Sequence, residues 1–391
     1  MDRPWLHIIG LGEDGPAGLS DASREILSQA SVIFGGPRHL DLVGAGARGR
    51  AWPVPFDLAP VLALRGQRVV VLASGDPFWH GAGGSLAAAL APEEWICHPA
   101  VSSVAWAAAR LGWRLEEVET LGLHAAPLSR LRPSLAQGSR LIVTLRGGAQ
   151  VAELGAYLDT LGFGASILHV FEAIGGPREI RRDLPADAVT GEFGQPVLVA
   201  ISAQGGPGLP RGFGLDDSLF THHGQITKRP VRALTLSALS PRQGEYLWDL
   251  GAGSGSISVE WALAGGRAAA LEPRADRLGQ ITENAMKFGI DHRIDVLQGH
   301  WPETLPEVRP DAVFIGGGLT REGFAALWER LPQGTRVTGN AVTLESEALY
   351  LGLQAERGGT LLRIELAENA PLGRMRGWDR ARPILQWSVT R

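Results

Sequence analysis

Short runs of apolar residues alternate with longer amphipathic stretches along almost the whole chain, and this rhythm predicts an α/β protein. The runs at 6–9, 68–72, 141–145, 196–201, 246–250, 268–271 and 312–315 are too short for helices, mostly aliphatic, and read as buried strands. The stretches at 19–30, 86–90, 103–111, 151–161, 256–264 and 274–288 read as helices, the first with Ser20 placed to cap it. Strands that alternate with helices need crossover connections, and therefore largely parallel sheets.

At 391 residues the chain is too long for one ordinary core. Residues 204–215 (Gln-Gly-Gly-Pro-Gly-Leu-Pro-Arg-Gly-Phe-Gly-Leu) are hostile to helix and strand alike and mark a linker. Two domains are expected, 1–207 and 208–391, the first with lobes at about 1–111 and 112–207.

The most informative stretch is 247–255, Leu-Trp-Asp-Leu-Gly-Ala-Gly-Ser-Gly. An apolar strand runs through Asp249 into a turn carrying Gly251, Gly253 and Gly255, and a helical pattern follows. Missing Cβ atoms let a ligand lie against backbone at a helix N-terminus. A dinucleotide fingerprint would need glycine at position 256, which is Ser256. Asp249 would sit badly beside a pyrophosphate but suits a cationic ligand such as the amino group of S-adenosylmethionine (SAM). Glu272, ending the next apolar run, is placed to accept ribose hydroxyls. SAM is therefore favoured over a nicotinamide cofactor.

The first half repeats the theme. Ile9-Gly10-Leu11-Gly12 is a strand entering a glycine turn, Ser74-Gly75-Asp76-Pro77-Phe78 follows another strand, and Pro99-Ala100-Val101-Ser102-Ser103 precedes a helix. Such groups collect at the carboxyl edge of a parallel sheet, where ligands bind. Taken singly, Gly10 also fits plain turn geometry, and Asp76 a capped turn.

Composition narrows the field. Formal net charge is −4 with no basic block, so nucleic acid is not an expected partner. Lys228 and Lys287 are the only lysines, which leaves anions to arginine. Cys97 is the single cysteine, excluding an intrachain disulfide or a cysteine-based zinc site, and the histidine spacing suggests no metal. With no basic leader and no apolar run of membrane-spanning length, the expectation is a cytoplasmic protein without a membrane partner.

The three motifs of the first half resemble the tetrapyrrole methylase family, the class III SAM methyltransferases, although Glu13-Asp14-Gly15 departs from that family's usual Gly-x-Gly-Pro-Gly turn. Phe34-Gly35-Gly36-Pro37-Arg38-His39-Leu40 resembles the branch acting on late corrin precursors. The second half is similar to class I methyltransferases of the precorrin-6Y C15-methylating, decarboxylating type. The matching stretches are Gln225-Ile226-Thr227-Lys228, 249–255, Glu272, Phe314-Ile315-Gly316-Gly317-Gly318 and Asn340-Ala341-Val342-Thr343-Leu344-Glu345.

Together the resemblances imply a two-lobed tetrapyrrole methylase fold followed by a Rossmann-like class I fold. They imply SAM-dependent methylation of precorrin-6Y, or its reduced form, at C5 by the first domain. The second domain would methylate C15 and decarboxylate the C12 acetate, in cobalamin biosynthesis. Two SAM sites follow: Thr227, Asp249, Gly251, Gly253, Gly255, Glu272 and Gly316 at one, Gly10, Asp76 and Ser103 at the other. Arg38, Lys228, Arg229, Arg374 and Arg376 are candidates for substrate carboxylates, although each also reads as a solvated surface cation. The residue that protonates the decarboxylated carbon is not assigned. A homo-oligomer is expected by resemblance. The competing functions are an RNA methyltransferase working through the second domain and a non-catalytic SAM-binding regulator.

Overall fold

Strand β1 (Leu6–Leu11) is buried except at His7, as a continuous apolar run requires, and it lies in an all-parallel sheet. The computed structural model describes residues 4–391. With β2 (Val32–Gly35), β3 (Gly49–Ala51), β4 (Val69–Ser74) and β5 (Trp95–His98) the order is β3-β2-β4-β1-β5. Period-two alternation gives the sheet two cores: Leu6, Ile8, Phe34 and Val71 on one face, Ile9, Leu11, Ile33 and Leu72 on the other. Helices α1 (Asp21–Gln29), α2 (Pro37–Leu42), α3 (Ala59–Leu62) and α4 (Ala82–Ala89) connect the strands. Ser20 caps α1, its hydroxyl accepting from the Ser23 amide at 3.2 Å.

A second layer holds α5 (Ser103–Leu111) and α6 (Ala149–Thr160) on a sheet of β6 (Glu119–Gly122), β7 (Arg140–Thr144), β8 (Ile167–Glu172), β9 (Ile180–Pro185) and β10 (Val197–Ser202), ordered β6-β7-β10-β8-β9. Only β6–β7 is parallel here, which departs from the expectation of largely parallel sheets. The β8–β9 pairing follows from the short connection between those strands, which permits an antiparallel hairpin and no crossover. Helix α5 buries Val104, Ala107 and Ala108 against Ile142, Phe171 and Leu198. The second layer therefore takes in α5 from Ser103 onward.

The remaining chain builds a seven-stranded sheet from β11 (Tyr246–Leu250), β12 (Arg267–Glu272), β13 (Ile294–Gln298), β14 (Ala312–Ile315), β15 (Arg336–Ala341), β16 (Thr360–Ile364) and β19 (Ile384–Thr390). An exposed hairpin of β17 (Ala367–Leu372) and β18 (Met375–Arg380) stands apart from it. The order is β13-β12-β11-β14-β15-β19-β16, and only the pairings made by β19 are antiparallel. This is a doubly wound sheet whose direction of winding reverses between β11 and β14. The helices are α7 (Arg229–Leu239), α8 (Ser256–Leu263), α9 (Ala275–Lys287), α10 (Arg321–Arg330) and α11 (Leu344–Arg357).

Contacts divide the chain into two compact units. One takes in the chain up to Leu128 together with Ser134–Gly208, and the other holds Ser129–Pro133 and Leu209–Arg391. Among the described residues no helix is long and apolar enough to cross a membrane.

Candidate functional site

In the second unit the glycine turn leaves the carboxyl end of β11 at the point where the winding reverses. Gly251, Gly253 and Gly255 all adopt left-handed backbone, with φ of +80°, +60° and +73°, which L side chains resist. A Cβ on Gly251 would lie 3.0 Å from the Gly317 amide nitrogen, and one on Gly316 would lie 2.6 Å from the Gly251 carbonyl. The loops after β11 and β14 thus touch backbone to backbone. Gly255 fits against Ile281 of α9, 2.9 Å from its would-be Cβ. Gly253 and Gly317 face open space: the nearest atom to a Cβ on Gly253 is the Gln225 carbonyl at 3.5 Å, and nothing lies within 4 Å at Gly317. The cradle opens there.

Asp249 lies beneath the turn, fully buried. Its Oδ2 accepts from the Ser258 amide at 3.2 Å and hydroxyl at 2.6 Å, while among the described residues Oδ1 has no partner. Burial pushes its carboxyl up to about 6, the Ser258 bonds oppose the shift, and the Glu272 charge adds to it. The structure therefore uses one carboxylate oxygen to hold the first turn of α8, and it is the other oxygen that stays unpaired.

Glu272, also buried, accepts from the Gly253 amide at 2.8 Å with one oxygen and from the Arg274 amide at 3.2 Å with the other. Arg277 approaches it at 3.4 Å and also bonds the Gln225 side chain. Asn284 Nδ2 donates to the Ser254 and Thr221 carbonyls, each at 2.9 Å, tying the segment before Thr227 to the turn. Sequence reasoning missed Asn284 and Arg277, because only the fold shows that α9 runs past the turn.

The proposed substrate cations are dispersed. Lys228 pairs with Asp217 at 3.5 Å and Arg229 with Asp216 at 3.7 Å. Arg374 and Arg376 are exposed at the tip of the β17–β18 hairpin.

In the first unit, residues from both layers enclose a cavity of about 270 Å³. Gly12 and Glu13 follow β1, Ser74 and Gly75 end β4, Ser102 and Ser103 open α5, and Thr144, Ile174 and Leu198 come from the second layer. Ser102 caps α5 by accepting from the Ala105 amide at 3.1 Å. Ser103 lines the cavity; Gly10 and Asp76 do not. A Cβ on Gly10 would collide with the Gly75 carbonyl and lie 2.6 Å from the Ala100 nitrogen, so Gly10 lets three chain segments close on one another below the cavity. Asp76 Oδ1 accepts from the Phe78 amide at 2.8 Å, a local turn cap.

Arg38 is in the cavity wall, ion-paired to Glu13 and donating to Ser74 Oγ at 3.1 Å. Glu13, the residue at which the first turn departs from its resemblance, also faces Arg178 of the second layer at 3.5 Å. His39 is 2.9 Å from Ser74 Oγ, and burial with the Arg38 charge lowers its pKa to about 4, so the ring is neutral near pH 7. Among the described residues no cluster of three or more His, Cys, Asp or Glu side chains could hold a metal ion.

Two parallel sheets, each with glycine turns at its carboxyl edge, give the chain the architecture of a methyltransferase. Residues 5–186 match the model of the Tetrapyrrole (Corrin/Porphyrin) Methylases, and residues 218–391 that of the Precorrin methyltransferase domain. A Sinorhizobium precorrin-6Y C(5,15)-methyltransferase (decarboxylating) is 44% identical over 99% of this chain and 97% of its own length. A Mycobacterium tuberculosis protein of the same description is 37% identical over 99% of this chain and 100% of its own. The solved C-terminal domain of precorrin-6Y C5,15-methyltransferase from Rhodobacter capsulatus is 55% identical, covering 47% of this chain and 100% of that one with a TM-score of 0.45. The chain belongs to the precorrin-6Y C(5,15)-methyltransferase (decarboxylating) family, and is a methyltransferase with decarboxylase activity. Family membership displaces the RNA methyltransferase and the non-catalytic regulator as readings.

Proposed function

We propose that each unit binds one SAM and methylates one carbon of the same tetrapyrrole, precorrin-6Y or its reduced form, in cobalamin biosynthesis. The first unit acts on C5. The second acts on C15 and is the site where the C12 acetate loses carbon dioxide. The observation that carries this proposal is the presence of two separately built cradles in one chain. In the second unit, the open faces of Gly253 and Gly317, the unpaired Asp249 oxygen and the Glu272 carboxylate suit an adenosyl group bearing an amino group. In the first, Gly12, Gly75, Ser102 and Ser103 offer backbone and hydroxyl groups in a largely apolar cavity.

SAM supplies a methyl group on a sulfonium leaving group. The residues of this chain then hold donor and acceptor in line and exclude water. Arg38 meets a substrate carboxylate in the first unit, with Lys228, Arg229, Arg374 and Arg376 available to the second. The exposed Leu372, Met375 and Trp378 of the hairpin suit contact between copies in a homo-oligomer.

The test is calorimetry with SAM on the full chain, followed by locating the new methyl groups in the product. Two equivalents are expected. Filling one cradle by Ser103→Trp should remove C5 methylation alone, and filling the other by Gly317→Trp should remove C15 methylation and decarboxylation. A single equivalent, or loss of both methylations from either variant, would reject the division of labour.

A further inference from the structure

The cavity of the first unit has a neighbour. A second cavity, of about 450 Å³, is walled by His39, Trp52, Phe56 and Ser85, and it shares Ser74, Trp79, His80 and His124 with the first. Its aromatic lining suits the face of a large conjugated ring, whereas the first cavity carries the glycine and serine edges suited to SAM. A methyl group passing from one ligand to the other crosses the shared wall, which contains two histidines far apart in sequence.

Both rings are held. His80 adopts left-handed backbone with φ of +53°, an uncommon conformation for a residue with a side chain. Its ring lies over the strand end at Gly122, where a Cβ would come within 2.8 Å of the ring carbon Cγ. His124 stands edge-on to it with ring centroids 6.2 Å apart, and its Nδ1 is 3.5 Å from the Thr144 hydroxyl. A contact on Nδ1 leaves Nε2 to face a ligand.

We propose that His124 accepts the proton that the macrocycle carbon loses after it is methylated. The proposal rests on the assignment of C5 methylation to this unit. C5 is a bridging carbon that carries one hydrogen. When it attacks the methyl group, the new C–CH3 bond forms, the S–CH3 bond breaks, and its electron pair stays on sulfur. The carbon then bears both hydrogen and methyl, and the macrocycle a positive charge. Transfer of that proton to His124 Nε2 returns the C–H electron pair to the ring system and restores conjugation. The charged and titratable groups around His124 are His80 from the turn after β4, Arg146, whose guanidinium donates to the His124 carbonyl at 3.3 Å, and Arg38 and Glu13 elsewhere in the cavity wall. His39 lines the second cavity. Burial and the His80 charge hold His124 below the usual histidine range, so it is neutral near pH 7 and competent as an acceptor.

The experiment is single-turnover C5 methylation by the full chain across pH. His124→Gln should slow it roughly a hundredfold or more, as general-base losses do, while SAM affinity at this unit stays within about twofold. The native rate should fall on acidification as His124 gains its proton, and that limb should vanish in His124→Gln. His80→Asn, which suits a left-handed position, should move the limb to higher pH by removing a like charge. Loss of SAM binding in His124→Gln, a rate within about threefold of native, or an acid limb that survives would each overturn the proposal. Ser103→Trp keeps the two questions apart: if it leaves C5 methylation intact, the assignment of that step to this unit fails on its own account.

Discussion

Arg232 Nε and Glu260 Oε1 meet 2.6 Å apart with Arg232 wholly buried and Glu260 nearly so. Glu260 also accepts from the Gly214 and Leu215 amides at 2.7 and 2.9 Å, and Arg232 stacks 4.7 Å from the Phe220 ring. The pair therefore staples the irregular segment entering the second unit onto α7 and α8.

Arg232→Met should destabilise the second unit by about 3–5 kcal/mol, because it leaves a buried carboxylate without its counter-charge. Urea denaturation followed by tryptophan fluorescence should show an earlier transition for that unit. SAM binding to the first unit should persist. Replacing both residues together by apolar ones should recover the part due to the unpaired charge while still costing the bonds Glu260 makes to the Gly214 and Leu215 amides, which separates the two contributions.

Asp249→Asn tests the buried carboxylate. Its folded pKa of about 6 lies above the ordinary 3.8, so the folded state keeps this proton longer than the unfolded chain does. This residue's contribution to stability therefore falls as pH rises from 3.8 towards 6 and then levels off. The asparagine cannot ionise. Its stability relative to the native protein should improve across that window, by on the order of 3 kcal/mol at full extent. Paired urea titrations at about pH 4 and pH 7 measure the difference, and a pH-independent gap would refute it.

How far the sequence revealed this protein depends on whether the interactions were local. The turn at 251–255 was legible because left-handed backbone demands glycine, and β11 and β14 match their expected bounds because central parallel strands are buried along their whole length and therefore mostly apolar. Edge strands leave no such run: β13 is buried only at Ile294, and its other residues are partly or fully exposed. The wall of His80 and His124 was not legible, since only the packing of two layers brings those residues together. Asp76 and Gly10 were legible as special but not in role, because a turn cap and a close approach of backbones use the same residue types as a ligand site.

Those two positions should part company experimentally. Gly10→Ala forces a Cβ into the Gly75 and Ala100 backbones, neither of which is a flexible side chain. It should destabilise the first unit by roughly 1–3 kcal/mol and abolish its SAM binding. Asp76→Ala loses one turn bond, costs about 1 kcal/mol, and should leave that affinity within about threefold. Calorimetry on both variants decides between packing and contact.

Glu272→Ala removes the acceptor for the Gly253 amide and the partner of Arg277. The expected result is at least a tenfold loss of SAM affinity at the second unit, from about 1.4 kcal/mol or more, with the first unit unaffected. Calorimetric stoichiometry should fall from two equivalents towards one, whereas unchanged binding would show that Glu272 merely braces the turn.

Strand β19 pairs with β15 on one side and β16 on the other, so β16 has no partner in the sheet until β19 arrives. On the ribosome β19 emerges after every other strand of that sheet. The winding through β15 can assemble as it is made, but β16 must wait, with Trp387, wholly buried in the finished unit, still to come. Closure of the second unit thus waits on β19, and a nascent chain cut short before residue 384 leaves the sheet open at the β15 edge.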